Sequence, residues 1–288
     1  MGLRQFTNSL KSILNNSHVN RGEGVVKHLH WQYLKAFNRF PFEQGISRSR
    51  IVAAHKRCGV SALIYSQCLY NYNNMMLLQM LLRDGGSFLD IGANIGSFTL
   101  IASEQEKALV YAFEPHPETF RLLQHNVELN RRNNVGLYNI ALGRADGEVF
   151  LSDDAGSATN HIEPVQSERT VAVRCMRIDT VCSEYAIHPQ YVKIDVEGFE
   201  YDVLAGFGAY IEAIDLLMIE MNGLSDQRSH GQREIHALLT SNRITGPWRC
   251  DFDRKTLRCN DRSGIEDSLY LSDRASHIVQ LHGFTLVA

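Results

Sequence analysis

The chain is short of the features that mark several protein classes. Its six cysteines (Cys58, Cys68, Cys175, Cys182, Cys250, Cys259) are widely spaced, form no C-x-x-C pair and are too few to staple 288 residues. They read as reduced thiols, not as a disulfide framework or a zinc site. No stretch approaches the roughly 18 apolar residues of a membrane span. Residues 1–20 lack the continuous apolar core of a secretory signal, and Phe6 stands where a myristoylation signal wants Ser or Thr. Neither sign of charge dominates: 29 Lys+Arg face 32 Asp+Glu, a formal charge of -3. Such a balance lacks the basic stripe of a nucleic-acid-binding protein and leaves room only for a local basic patch. No internal repeat or low-complexity tract is present. What remains, with 44% hydrophobic and 21% charged residues, is a cytoplasmic globular protein of one large domain or two small ones.

The texture changes near residue 85. Before it, Val26, Leu29, Tyr33, Leu34 and Phe37, and later Met76, Leu77, Met80 and Leu81, recur at helical spacing. Residues 1–82 are therefore expected to be a mainly helical extension, broken at Phe40-Pro41 because the residue before a proline disfavours the α region. The aromatic run His28-Leu29-His30-Trp31-Gln32-Tyr33 suits core, an acceptor pocket or an oligomer contact. From residue 83 to 288 short apolar runs alternate with amphipathic segments, the signature of βα units and a largely parallel sheet. Strands are expected over 88–91, 109–114, 135–141, 191–195 and 216–220, and helices over 95–105, 117–130, 199–207 and 232–241. Extra strands over 148–152 and 170–176 would flank a polar loop at 153–168, and segments at 248–252, 268–271 and 277–280 would close the sheet.

The strongest local signal is Phe88-Leu89-Asp90-Ile91-Gly92-Ala93-Asn94-Ile95-Gly96-Ser97-Phe98, a buried strand running into a glycine turn and a helix. Gly92 and Gly96 permit a close backbone approach that a β-carbon would obstruct. The dinucleotide fingerprint fails because Asn94 and Ser97 stand where glycine is required, and no Walker Gly-Lys-Ser/Thr follows. Instead the turn has an acid at its head, Asp90, and a second, Glu114, ends the next strand in Ala112-Phe113-Glu114-Pro115. An acid at that point can accept bonds from both hydroxyls of a ribose. With Asp90 beside the turn, a cofactor carrying an ammonium and a sulfonium, such as S-adenosylmethionine, is favoured over an anionic diphosphate. Two further apolar strands end in acids, Tyr191-Val192-Lys193-Ile194-Asp195-Val196-Glu197-Gly198 and Leu217-Met218-Ile219-Glu220-Met221-Asn222. In a parallel sheet all four strand ends share one edge, so Asp90, Glu114, Asp195 and Glu220 are expected to line one crevice. Lys193, inside its strand, reads as a solvated or capping lysine.

These motifs, with Ala141-Leu142-Gly143, Asp146-Gly147, Arg177-Ile178-Asp179 and Lys193-Ile194-Asp195-Val196-Glu197-Gly198-Phe199-Glu200 in the same order, make the chain resemble the FkbM family of S-adenosylmethionine-dependent methyltransferases over about residues 75–222. The resemblance implies a Rossmann-like class I methyltransferase fold: α/β, with a mostly parallel seven-stranded sheet, helices on both faces and a reversed last strand. It also implies O-methylation of a sugar, glycan or secondary metabolite. Carried over by position, Asp90, Gly92, Ala93, Asn94, Gly96 and Phe98 would surround the methionine and ribose parts of the cofactor, and Glu114 would hold the ribose hydroxyls. Pro115, His116, Ala141 and Leu142 would close the adenine pocket, and Asp195 would sit nearest the transferring methyl. Upstream, Tyr70-Asn71-Tyr72-Asn73-Asn74 departs from the family, which places an acid after an aromatic there.

For the proton of an attacking hydroxyl, Asp195 is the first candidate base, followed by Glu197 and Glu220, with His161 a fourth if its polar loop folds over the crevice. Bland roles compete: a helix cap for Glu197, a structural acid at Glu220, a solvated histidine at 161. A divalent ion held by Asp195, Glu197 and Glu220 is conceivable, since oxygen ligands suit Mg²⁺, but no tight ligand spacing supports it and no metal is expected. Two other functions fit the same sheet: an NAD-type oxidoreductase or sugar-nucleotide enzyme, and an inactive binding module presenting residues 1–82 to a partner or a second copy.

Overall fold

The computed structural model describes residues 10, 13–14, 18–56, 58–153, 160–220, 231–259 and 268–287. In order the elements are α1 (Arg21–Ala36), β1 (Phe42–Ile46), β2 (Ser49–Ala53), α2 (Gly59–Gln67), α3 (Tyr72–Leu81), β3 (Gly86–Ile91), α4 (Ser97–Ser103), β4 (Ala108–Phe113), α5 (Pro117–Leu129), β5 (Val135–Tyr138) and β6 (Ala141–Gly143). There follow β7 (Gly147–Ser152), β8 (Ile162–Glu163), β9 (Thr170–Arg177), α6 (Ile178–Tyr185), β10 (Tyr191–Ile194), α7 (Glu200–Ala205), a 3-10 turn (Gly208–Ala213) and β11 (Leu216–Ile219). The chain closes with α8 (Gln232–Ser241), β12 (Ile244–Asp251), β13 (Thr256–Cys259), β14 (Ser268–Ser272), α9 (Asp273–Leu281) and β15 (Thr285–Val287).

The main sheet runs β15-β13-β12-β14-β11-β10-β3-β4-β5, nine strands where seven were expected. Its half from β11 to β5 is entirely parallel, and β14 enters antiparallel to β11. Central strands are apolar on both faces, as sandwiched parallel strands must be: Phe88 and Leu89, adjacent in β3, are both fully buried, in separate clusters. One cluster carries α3, α4 and α9 side chains (Leu77, Leu78, Leu100, Val279), the other those of α6, α7 and α8 (Val181, Leu204, Leu239). From β3 the chain proceeds outward through β4 and β5 on one side, and through β10 and β11 on the other. Strand order thus reverses between β3 and β10, where loops at the carboxyl ends of open sheets part to admit a ligand.

Several expectations change. The apolar segment expected to continue to residue 141 splits: β5 ends the main sheet, while β6 pairs with β9 in a second sheet ordered β6-β9-β7-β8. The segment at 277–280 is helix, not strand, because Ser272 Oγ accepts the Ala275 N–H at 3.1 Å and Ala275 and Val279 share the inward face of α9. Within the expected helical extension lies the hairpin β1–β2, with Ile46 and Ile51 fully buried. Its outer edge is capped by α5: Asn126 Oδ1 accepts the Val52 N–H at 2.9 Å and Asn130 Oδ1 accepts the Arg50 N–H at 2.7 Å, which blunts an otherwise open strand. The hairpin turn is held by the 6%-exposed Glu104 carboxylate, which accepts bonds from Ser47 Oγ, Arg48 N and Ser49 Oγ, each at 2.8 Å, and from Gln79 Nε2 at 2.7 Å. All six cysteines are free, and no helix among the described residues is long and apolar enough to cross a membrane.

Candidate active site

The glycine turn after β3 is shaped by its hydrogen bonds. Gly92 and Ala93 N–H both donate to Phe113 O at 3.0 Å, and Asn94 and Gly96 adopt positive φ (52° and 92°). Gly92 has φ 77°, and a β-carbon there would stand 1.9 Å from the Asp195 carbonyl oxygen. The two loops that leave β3 and β10 therefore touch at the reversal point. At Gly96 a β-carbon would stand 2.6 Å from Leu123 Cδ1 of α5.

Glu114 follows β4 and is 7% exposed. One carboxylate oxygen accepts the Asn94 N–H, the other the His116 N–H, both at 2.9 Å. Burial pushes this carboxyl up to about 7; the two backbone N–H donors oppose the shift and the charges of Asp90 and Asp195 add to it. Each oxygen keeps acceptor capacity beyond its one backbone bond. His116, 3% exposed, caps α5 and reaches Asp153 Oδ1 at 3.1 Å through Nε2, which ties the start of the polar loop to this side of the cleft.

Across the cleft, Asp195 continues the β10 ladder, its N–H on Ile91 O at 3.0 Å. Its Oδ2 lies 2.9 Å from Lys193 Nζ, and the side chain is 33% exposed. Burial acts against the Asp195 charge, but the Lys193 ammonium and a hydrogen bond from Glu220 outweigh it and hold the carboxyl below its ordinary range. Lys193 itself is buried at 5% exposure and sits 5.3 Å from the Phe98 ring centre. It is an internal counter-ion, not a solvated or capping lysine. Asp195, Glu197 and Glu220 place carboxylate oxygens within 4.8 Å of one another, a closer grouping than their sequence spacing suggests and one with the oxygen chemistry of a divalent-cation site.

The cleft gathers Gly92, Asn94, Glu114, Pro115, His116, Ala141, Leu142, Asp195 and Glu197 from the expected set. It adds Ile91, Phe113, Val196 and Phe199, which lie inside the quoted motifs without an assigned role, and Thr119, Ile140, Leu151, Asn160 and Ile162, which the motifs missed. Asp90, expected at the crevice, lies beneath it at 1% exposure: Oδ2 accepts a hydrogen bond from Thr99 Oγ1 at 2.6 Å, while Oδ1 has no hydrogen-bond partner among the described residues and stands 3.9 Å from Lys193 Nζ. Burial raises the Asp90 carboxyl, with Lys193 and Thr99 opposing. Ala93, Gly96 and Phe98 support the turn from behind, at 4% and 2% exposure for Ala93 and Phe98. Glu220 reaches the acidic cluster without lining the cleft, and His161 bonds Glu163 Oε1 at 2.8 Å away from it. Residues 156–159 of the loop, and Met221 and Asn222, lie outside the described residues. Upstream, Tyr70 Oη meets Ser97 Oγ at 2.9 Å, so the departing Tyr70-Asn71-Tyr72 segment touches the start of α4.

A mainly parallel sheet with a bare glycine turn, an acid ending the neighbouring strand and a cleft at the reversal point define a Rossmann-like α/β domain, and the family match makes it a methyltransferase domain. The chain belongs to the FkbM methyltransferase family: the model described as "Methyltransferase FkbM domain" matches residues 90–253. It is similar to hexuronic acid methyltransferase AglP of Haloferax volcanii, 29% identical over 140 residues, covering 48% of this chain and 57% of that protein. It is also similar to 31-O-demethyl-FK506 methyltransferase FkbM of Streptomyces tacrolimicus, 33% identical over 104 residues, 36% of each chain. Among solved structures, M. jannaschii TYW2 in complex with AdoMet aligns at 14% identity and a TM-score of 0.40, over 81% of this chain and 86% of that one. The chain matches less than two thirds of the length of these curated relatives. Family membership displaces the oxidoreductase reading.

Proposed function

We propose that the protein is an S-adenosylmethionine-dependent O-methyltransferase acting on a hydroxyl of a sugar, glycan or secondary metabolite. The observation that carries the cofactor assignment is Glu114: a nearly buried carboxylate at the cleft floor, with acceptor capacity left on both oxygens, next to the turn that Gly92 keeps bare. Vicinal ribose hydroxyls would satisfy it, with Pro115, Ile140, Leu142 and Ile162 offering apolar walls to the adenine. Asp195 and Glu197 line the methionine end against the counter-ion Lys193, an acidic excess that suits an ammonium and a sulfonium. The acceptor class is supported by the similarity to AglP, a hexuronic acid methyltransferase, and to the 31-O-demethyl-FK506 methyltransferase.

When bound, S-adenosylmethionine supplies an electrophilic methyl. Glu114 and the turn that Gly92 keeps bare would hold the cofactor, and the chemistry it would supply is donation of that methyl to an acceptor oxygen, with the former carbon–sulfur pair staying on sulfur. Asp195 would orient the hydroxyl and take its proton. Because Lys193 holds Asp195 at low basicity, the proton would pass late, as the oxygen gains positive charge, and alignment would carry much of the acceleration, roughly 7–11 kcal/mol in favourable cases. Glu220, hydrogen-bonded to Asp195, would fix its orientation. Where an ion occupies the three carboxylates, Asp195, Glu197 and Glu220 would be its ligands. The test is transfer of labelled methyl to hexuronic-acid glycans and hydroxylated metabolites. Product that disappears in Asp195→Asn supports the reading, whereas cofactor binding with no transfer to any hydroxyl returns the chain to the binding-module class.

A further inference from the structure

The face of α1 turned away from the protein is apolar. Val26 is 65% exposed, Leu29 53%, Tyr33 49% and Phe37, the residue that caps the helix, 61%. At about 100° per residue these four fall on one stripe roughly 16 Å long. The opposite face is fixed: Gly24, His28 and Trp31 are buried, and the Trp31 ring packs 5.2 Å from Phe40, 6.0 Å from Phe42 and 5.6 Å from Tyr65. The stripe is therefore held outward by its own helix and does not belong to a core that could close over it by rotation.

Charge selects the occupant. Around the stripe stand Arg21, Lys27 and Arg39 against a single acid, Glu23, which borders the stripe and pairs with Lys27 at 2.7 Å, while Lys35 falls on the protein-facing side near His28. Arg21 and Lys27 flank the stripe on its two sides and Arg39 follows its end, so their long stems can lie along apolar surface with the charges outward. The first 39 residues hold six Lys+Arg and one Glu in a chain whose overall charge is -3. A second copy laid on this face would set like charge against like. An anionic lipid surface matches both properties, accepting the apolar side chains below the headgroups and the basic ones at them.

We propose that α1 docks the protein, lying in the interface plane, on membranes rich in anionic lipid. The stripe and its charges stand apart from the cleft and do not depend on the methyl-transfer reading. The full chain is mixed with phosphatidylcholine vesicles, with and without phosphatidylserine, and co-sedimentation is measured at rising salt. Binding is expected to phosphatidylserine vesicles, weakening with salt. Tyr33→Ser with Phe37→Ser should lower partitioning at least tenfold, and Arg21→Gln and Arg39→Gln roughly fivefold each. Because all four side chains are exposed, unchanged melting temperatures check that the variants fold. Failure of the folded wild type to sediment with anionic vesicles overturns the proposal, as does wild-type binding by the Tyr33→Ser, Phe37→Ser variant. Sedimentation velocity that shows a dimer lost in Phe37→Ser, without vesicle binding, assigns the face to a second copy instead.

Discussion

Gly92 and Asp195 meet backbone to backbone at the point where the sheet reverses, leaving no room for a β-carbon on Gly92, whose place is 1.9 Å from the Asp195 carbonyl oxygen. The contact locks the loop that shapes the cofactor end of the cleft to the loop that carries the candidate base. Gly92→Ala combines this clash with a positive φ of 77°. It should destabilise the protein by about 2–4 kcal/mol and displace Asp195, so that both the denaturant midpoint and turnover fall. A variant with wild-type stability and activity would show that the loops separate without cost.

Glu114 couples cofactor binding to pH. Its folded-state carboxyl titrates at about 7, raised by burial from the ordinary 4.5. The folded state therefore holds the extra proton, and this group's stabilising contribution, full below pH 4.5, is lost as pH rises towards 7. Ribose hydroxyls donate to the ionised form, so binding below pH 7 should release a proton and tighten as pH rises to about 7. Calorimetry in buffers of different ionisation enthalpy reads the release directly. Glu114→Gln should abolish it.

Lys193 sets the basicity of Asp195. Asp195→Asn should lower kcat by roughly 10²–10⁴-fold, the range of a lost general base, and also weaken cofactor binding, because a negative charge at the methionine end of the cleft goes with it. In Lys193→Gln the ammonium that lowers Asp195 is gone. The acidic limb of the kcat profile should then move to higher pH, a shift that a merely structural lysine would not produce.

Glu104 ties the β1–β2 hairpin to the rest of the core. Glu104→Ala leaves the donors of Ser47, Arg48, Ser49 and Gln79 without their shared acceptor. Stability should drop by about 2–4 kcal/mol, and limited proteolysis should open the chain at the hairpin turn first. Unchanged cleavage would mean that Ile46 and Ile51 alone hold the hairpin.

The parallel half of the sheet was legible because β3, β4, β10 and β11 are continuous apolar runs ending in an acid or a glycine, a pattern set by burial on both faces. The acids at those ends also pointed to one edge, and Glu114, Asp195 and Glu197 line the cleft there. Depth was not legible. Both acids read as strand ends, but Asp90 pairs with Ala112, two residues short of Glu114, and Thr99 and Lys193 hold it in the core while Asn94 and His116 hold Glu114 at the cleft floor. Lys193 was misread because its partners come from the next strand and from two residues onward, a pairing that strand register creates. The β1–β2 hairpin was hidden because its stabilising partners, Asn126, Asn130 and Glu104, lie more than 50 residues away. Ile278-Val279 could serve a strand or a helix, and the Ser272 cap decided it.

The most direct measurement is calorimetric binding of S-adenosylmethionine to the wild type and to Glu114→Ala, with a melting shift as control, since a ligand at one hundred times its dissociation constant stabilises the fold by about 2.7 kcal/mol. Wild-type binding that weakens at least tenfold in Glu114→Ala is the expected result, from the loss of charge-assisted bonds worth about 1.5–3 kcal/mol each. No binding by the folded wild type, or equal binding by both proteins, would contradict the assignment of the cleft to this cofactor.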